Sequence, residues 1–251
     1  MNQSSPVPVV RPTPESGLGL ASWVREIMEA ARATLATPEY PADMPRGHGE
    51  TVLLIPGFLA GDWTMHPLRD FLRHLDYRVE FAGVALNLGP TPRLLPQLEA
   101  AVERLHAEAG APILVIGQSL GGAFARVLAH RHPEKIAHIV TLASPIRFPV
   151  ATPLESIVKL LAPLHGPDVS ALRDEIERAP PVPLTALYSQ DDGIIDWRCC
   201  LQDEAPHCAN VEVSGAHSAM GFNPTAQAEI ARALARNRKP CSAIGAANTI
   251  P

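Results

Sequence analysis

Short, wholly apolar runs alternate along this chain with longer runs whose apolar residues recur at helical spacing. The first apolar run, TVLLI at 51–55, has the composition of a strand buried on both faces. Further strands are predicted at 77–82, 113–116, 136–142, 183–188 and 210–213. Between them the apolar positions shift to a period near 3.6. Pro67 opens a predicted helix with Leu68, Phe71, Leu72 and Leu75 on one side. Thr91-Pro92 is expected to cap and open a second, bearing Leu95, Leu98, Val102 and Leu105. Residues 119–131 gather Leu120, Ala123, Phe124, Val127 and Leu128 on one face. Asn223-Pro224 caps a last helix with Ala226, Ile230, Ala233 and Leu234. Strands alternating with helices imply βαβ units and an α/β fold with a mainly parallel sheet of about six strands.

One segment breaks the alternation. Residues 144–182 lie between the fourth and fifth strands and hold a strongly apolar helical pattern: Leu154, Ile157, Val158, Leu161 and Leu164. A second short helix from Asp168 carries Val169, Leu172 and Ile176. This insertion is expected to form a lid, and its apolar side either lines a substrate pocket or packs on the core. Ahead of the first strand, residues 1–17 are rich in Pro and Ser and are expected to be disordered. Trp23, Ile27, Ala31 and Leu35 predict a helix over 20–36, and 37–50 reads as a linker. The expected organisation is a mobile segment and helix (1–45), one globular domain (46–236, lid 144–182) and a flexible tail (237–251).

Composition narrows the function classes. The 251 residues suffice for one large domain with its own core. The 26 acidic residues exceed the 21 basic ones, net charge −5, and no basic cluster offers a footprint for nucleic acid. Cys199, Cys200, Cys208 and Cys241 form no metal-ligand pattern, and free thiols are expected over a bridge from Cys199 or Cys200 to Cys208. The amino terminus has no apolar core behind a basic start, and no run approaches 18 apolar residues. A cytoplasmic protein without a transmembrane segment is expected.

The chemistry concentrates around Gly117-Gln118-Ser119-Leu120-Gly121-Gly122. Gly-x-Ser-x-Gly lies here between an apolar strand and an amphipathic helix. A sharp strand-to-helix turn there strains the middle residue and projects its hydroxyl over the strand ends. Ser119 is therefore a candidate nucleophile; the bland alternative is a helix-capping serine in a Gly-rich turn. A serine hydroxyl needs a base. His165, His207 and His217 follow it, and only His217 directly succeeds a predicted strand, where active-site groups of open α/β sheets collect. Asp192 is the leading candidate to orient that imidazole, with Asp191 and Asp196 as alternatives. Two backbone donors are needed for an oxyanion. The N–H of Leu120 follows the nucleophile, and that of Phe58, in the turn Pro56-Gly57-Phe58, is the expected second.

Five stretches in this order resemble the bacterial esterase/lipase branch of the α/β-hydrolase superfamily: RGHGETVLLIPGFLAGD (46–62), GQSLGG, TLASP (141–145), YSQDDGIIDW (188–197) and GAHSAMGFNP (215–224). The resemblance implies a carboxylic ester hydrolase with catalytic Ser119, Asp192 and His217, oxyanion donors Phe58 and Leu120, and no cofactor or metal. Its substrate would be a small-molecule ester. A lid of this composition would place Leu154, Ile157, Val158 and Leu161 against an apolar acyl group. An acyltransferase or thioesterase would share the same triad, and a non-catalytic binding protein would share the scaffold. Two departures stand out: Pro56 replaces the His that many relatives carry before the oxyanion glycine, and no counterparts of the first two strands of the full fold are predicted.

Overall fold

A computed structural model describes residues 43–150, 152–166 and 169–236, together with Val24, Glu26 and Met28. The expected helix over 20–36 and the tail after 236 otherwise lie outside the described residues.

The strands are β1 (Thr51–Ile55), β2 (Arg78–Phe81), β3 (Ile113–Gln118), β4 (Ile136–Leu142), β5 (Leu184–Tyr188) and β6 (Cys208–Glu212). They form one six-stranded sheet in the order β2-β1-β3-β4-β5-β6, and every neighbouring pair is parallel. The helices are α1 (His66–His74), α2 (Leu94–Ala109), α3 (Leu120–Arg131), α4 (Glu155–Leu161), α5 (Val169–Glu177) and α6 (Pro224–Arg236). This is the six-stranded parallel α/β architecture expected from the alternation.

The apolar character of the strands follows from burial on two sides. Val52 and Leu54 of β1 point to the face covered by Leu68, Phe71 and Leu72 of α1 and Ile230 and Leu234 of α6. Leu53 and Ile55 point to the other face, with Leu98 and Leu105 of α2 and Phe124 and Leu128 of α3. Alternate residues from Val52 to Ile55 thus serve opposite clusters, so no position in the strand is left for a charged side chain. Each fully buried Leu or Phe contributes about 2 kcal/mol of transfer free energy.

Several boundaries differ from those expected. The helix expected from Thr91-Pro92 starts at Leu94, with Arg93 at its N-cap and no side-chain cap. The Leu94 N–H instead closes a turn onto the Thr91 carbonyl at 3.1 Å, so Thr91 and Pro92 precede the helix. A short 3-10 turn, Asp62–Met65, leads into α1. The last helix begins as expected, with Asn223 Oδ1 accepting from Thr225 N at 2.9 Å.

The insertion divides into two unlike parts. Leu172 and Ile176 of α5 are buried with Ala123, Val127 and Ile146, so this helix belongs to the core. Arg126 of α3, itself buried, donates to the Ile176 carbonyl at 2.6 Å and the Arg178 carbonyl at 2.7 Å and fixes α5 to the helix behind the nucleophile turn. By contrast α4 has no buried residue. Ile157 and Val158 are 38% and 39% exposed, and Leu160 is 75% exposed.

Chain direction positions the site. From β1 the chain passes to β2 on one side, whereas β3 lies on the other, so connections diverge between β1 and β3. Crevices form at such a switch point beyond the carboxyl ends of the strands. Ile55 pairs with Gly117 there, which sets the turn after β1 beside the turn after β3. Among the described residues no helix is long and apolar enough to cross a membrane, and Cys199, Cys200 and Cys208 are free thiols.

Candidate active site

The turn after β3 forces Ser119 into φ 51°, ψ −125°, a region that non-glycine residues rarely adopt. Strain of this kind costs about 1–3 kcal/mol and persists where the surroundings over-determine it. Here Ser119 N–H donates to the Leu142 carbonyl at 2.8 Å, and Ser119 O accepts from Gly122 N–H at 3.0 Å. The flanking glycines are required by contact. A Cβ on Gly117 would lie 2.3 Å from the Gly121 carbonyl oxygen, and one on Gly121 would lie 2.2 Å from that of Ile55. Ser119 occupies the N-cap of α3, but its side chain makes no capping hydrogen bond. The hydroxyl is therefore not spent on the helix, which removes the capping-serine alternative.

The turn after β1 packs directly onto this residue. A Cβ on Gly57 would stand 3.1 Å from Ser119 Cβ and 3.8 Å from its Oγ. Leu120 begins α3, so its N–H has no acceptor within the helix. Phe58 is half-buried, outside the core clusters. Its loop is braced by Asn87, a residue that carries no signal in the sequence. Asn87 is fully buried; its Nδ2 donates to the Pro56 carbonyl at 3.0 Å, and its Oδ1 accepts from Gly89 N at 3.0 Å. Its main chain exchanges hydrogen bonds with Leu59 N–H (2.7 Å) and the Ala60 carbonyl (2.8 Å).

Asp192 and His217 are brought together. The Nδ1–H of His217 donates to Asp192 Oδ2 at 2.7 Å, with both side chains almost completely buried. Asp192 Oδ1 accepts from Ile194 N at 2.8 Å and Ile195 N at 2.7 Å, so both of its oxygens are engaged. The alternative aspartates are used otherwise. Asp196 caps the 3-10 turn Trp197–Cys200 through Arg198 N–H and pairs with the Arg198 guanidinium. Asp191 is exposed. The other late histidines are tied to backbone: His165 Nε2 to the Leu88 carbonyl at 3.1 Å, and His207 Nε2 to that of Pro180 at 2.8 Å.

Gln118, the neighbour of Ser119, ties the two turns together: its Nε2 donates to the His217 carbonyl at 3.2 Å. Among the described residues no hydrogen bond joins Ser119 Oγ to the imidazole. Such bonds are often long in ligand-free sites and tighten with substrate.

A second residue unforeseen from the sequence is Glu26. Buried at 2% exposure, it accepts from Gly193 N (2.9 Å), His217 N (2.7 Å), Ser218 N (3.0 Å) and Ser218 Oγ (2.9 Å). Burial, the largest single influence on His217, disfavours its charged form. The Asp192 charge and hydrogen bond, with the charge of Glu26, outweigh it and hold the imidazole above its ordinary 6.5. The arrangement thus favours a histidine that takes up a proton.

The residues expected against an acyl group all lie in or beside α4. Leu154 packs beside Ile194, Ile195, Cys199 and Cys200, Leu161 is half-buried, and Ile157 and Val158 are exposed.

Known proteins share this framework. Residues 50–168 match the family model of the alpha/beta hydrolase fold. The pimeloyl-[acyl-carrier protein] methyl ester esterase of Neisseria meningitidis serogroup C is 34% identical over 111 residues, a stretch spanning 43% of each chain. The match therefore covers less than half of that relative's length. The crystal structure of a monoacylglycerol lipase from Paleococcus ferrophilus superposes with a TM-score of 0.53 at 18% identity, over 76% of this chain and 95% of that one. Lipase B of Aspergillus fumigatus gives a TM-score of 0.60 at 17% identity, over 79% of this chain and 56% of that one. At such identities the likeness is one of fold. With the sheet order, the strained serine turn and these matches in hand, the chain has the alpha/beta hydrolase fold.

Proposed function

We propose that this protein is a carboxylic ester hydrolase working through an acyl-enzyme on Ser119, with His217 as general base and Asp192 as the orienter of its imidazole. The observation that carries the proposal is the buried Asp192–His217 hydrogen bond of 2.7 Å, set beside a strained serine whose hydroxyl caps nothing. With Nδ1–H given to Asp192, Nε2 is the nitrogen left to accept a proton.

In the first step Ser119 Oγ attacks the ester carbonyl carbon as its proton passes to His217 Nε2. The carbonyl oxygen becomes an oxyanion, for which the N–H groups of Phe58 and Leu120 are the donors; one such donor is worth about 3 kcal/mol in the transition state. The C–O bond to the alcohol then breaks, and the imidazolium returns its proton to the departing oxygen. Water repeats the sequence: His217 deprotonates it, its oxygen attacks the acyl carbon, and the Ser119 ester is cleaved to a carboxylate. A buried Asp192 lowers the energy of the imidazolium in both halves.

The apolar residues of α4 suit an ester with an apolar acyl part, met by Leu154, Ile157, Val158 and Leu161. The curated relative's name, a methyl ester esterase, agrees in reaction class. The test is hydrolysis of p-nitrophenyl esters of increasing acyl length by the wild type and Ser119→Ala. Turnover confined to the wild type, with kcat/KM rising from acetate to longer chains, is the expected result. Equal turnover by both proteins overturns the reading, and diversion of most acyl product to added methanol reassigns the reaction as acyl transfer.

A further inference from the structure

No step of the mechanism above uses the Glu26 carboxylate, which nonetheless lies against both loops that supply the acid–base pair. Glu26 is helical and buried, whereas Val24 and Met28, two positions to either side, are 48% and 49% exposed. Residues two apart lie on nearly opposite sides of a helix. At these positions the helix turns a carboxylate inward and apolar side chains outward, the reverse of the usual amphipathic arrangement.

Removing a carboxylate from water costs several kcal/mol unless donors replace the lost hydration. Glu26 receives four donors, and among the described residues none is a lysine or arginine. Their location is informative. Gly193 directly follows Asp192, and His217 and Ser218 open the 3-10 turn His217–Ala219, which has no side-chain cap of its own. The N–H groups at the start of such a turn are unsatisfied until something outside supplies an acceptor. Oε1 takes one N–H from each loop, Gly193 at 2.9 Å and His217 at 2.7 Å. The same two loops are joined by the Asp192–His217 hydrogen bond, so that bond is closed into a ring through Glu26.

We infer that Glu26 is a positioning residue: its carboxylate staples the Asp192 loop to the His217 loop and is thereby part of the catalytic unit. The inference rests on the ester-hydrolase reading for what the pair does. A residue needed only to dock a helix has no reason to direct four hydrogen bonds, all those it makes among the described residues, at these two loops. The carboxylate also adds a second negative charge beside an imidazole that becomes positive in each transition state.

The experiment uses the full chain, wild type, Glu26→Ala and Glu26→Gln. It reads kcat and KM for p-nitrophenyl acetate, the rate of Ser119 modification by diisopropyl fluorophosphate, the melting temperature, and the far-downfield proton NMR resonance of His217 Nδ1–H. In folded Glu26→Ala, kcat and the modification rate are expected to fall about a hundredfold, the scale of a small misplacement of catalytic groups. KM should hardly move, and the downfield resonance should shift upfield or vanish. Glu26→Gln keeps an oxygen for Gly193 and His217 but opposes Ser218 N–H with an amide, so its kcat and resonance should fall between the other two. Wild-type kcat and an unmoved resonance in folded Glu26→Ala overturn the inference, as does a loss that only follows the unfolded fraction. If Glu26→Ala does not fold, Glu26→Gln with wild-type kcat and resonance overturns it instead. If wild-type Ser119 resists the fluorophosphate, the ester-hydrolase reading has failed, and the resonance alone still decides the role of Glu26.

Discussion

Replacing Asp192 with asparagine exchanges one oxygen for an amide nitrogen, and the surroundings dictate which one. Oδ1 accepts from Ile194 N and Ile195 N at 2.8 and 2.7 Å, so an amide placed there would face two donors. The amide must therefore take the Oδ2 position, 2.7 Å from His217 Nδ1, and donate to it. An Nδ1 that accepts leaves the proton on Nε2, and that nitrogen can no longer receive one from Ser119. A wrong tautomer of this kind in a serine protease lowers kcat about 10⁴-fold, which corresponds to about 5 kcal/mol of transition-state stabilisation. Folding should lose less, about 1.5–3 kcal/mol for one charge-assisted hydrogen bond. Asp196→Asn is the control. Asparagine can still cap through Arg198 N–H, and the partly exposed pair with Arg198 contributes under about 1 kcal/mol. The assay is ester hydrolysis across pH with the folded fraction measured alongside. The imidazole must be neutral to act, so wild-type kcat/KM rises with pH through the raised pKa of His217. The sign for stability is opposite: the fold favours the charged imidazole, so this contribution is full below about 6.5 and is lost as pH rises through the folded pKa. In Asp192→Asn the acid limb should move to lower pH as its ceiling collapses. Retention of more than about a tenth of wild-type kcat by Asp192→Asn, with collapse in Asp196→Asn, would refute the assignment of the acid.

Asn87→Ala strips Pro56 O and Gly89 N of buried partners and should cost about 1–3 kcal/mol for each group left unsatisfied. Calorimetry should show the lower melting temperature, and steady-state kinetics a larger loss in kcat than change in KM, because the turn that carries the proposed oxyanion donor Phe58 loosens. His138 is buried in β4 beside Thr185, and burial brings its pKa down to about 4. The unfolded chain takes up a proton near 6.5 that the native one refuses until about 4, so stability falls by about 3 kcal/mol as pH drops through that window. Urea titrations at pH 7 and 4.5 should show that fall in the wild type and a smaller one in His138→Gln.

The sheet was legible because its inner strands are buried on both faces, which leaves runs such as TVLLI with no charged position to turn toward water. The turn that holds Ser119 was legible because Gly117 and Gly121 are demanded by contacts that no Cβ could survive, and the place of His217 because its loop follows a strand. Choosing among Asp191, Asp192 and Asp196 required coordinates, since all three suit a turn and only geometry separates a partner from a cap. The insertion shows the limit of periodicity. Leu172 and Ile176 of α5 and Ile157 and Val158 of α4 share one helical pattern, yet the first pair is core and the second exposed. Glu26 and Asn87 left no local signal. A lone Glu in a helical stretch reads as a solvated face, and the Asn of Asn87-Leu88-Gly89-Pro90 reads as part of a turn. Their partners lie 191 and 31 residues away along the chain.

The central claim is that Ser119 forms the covalent intermediate. Intact-protein and peptide mass spectrometry after treatment with a fluorophosphonate tests it most directly. The expected result is one adduct per chain, on Ser119, absent from Ser119→Ala, whose ester hydrolysis falls to background. An adduct on another residue, or undiminished turnover in Ser119→Ala, would contradict it.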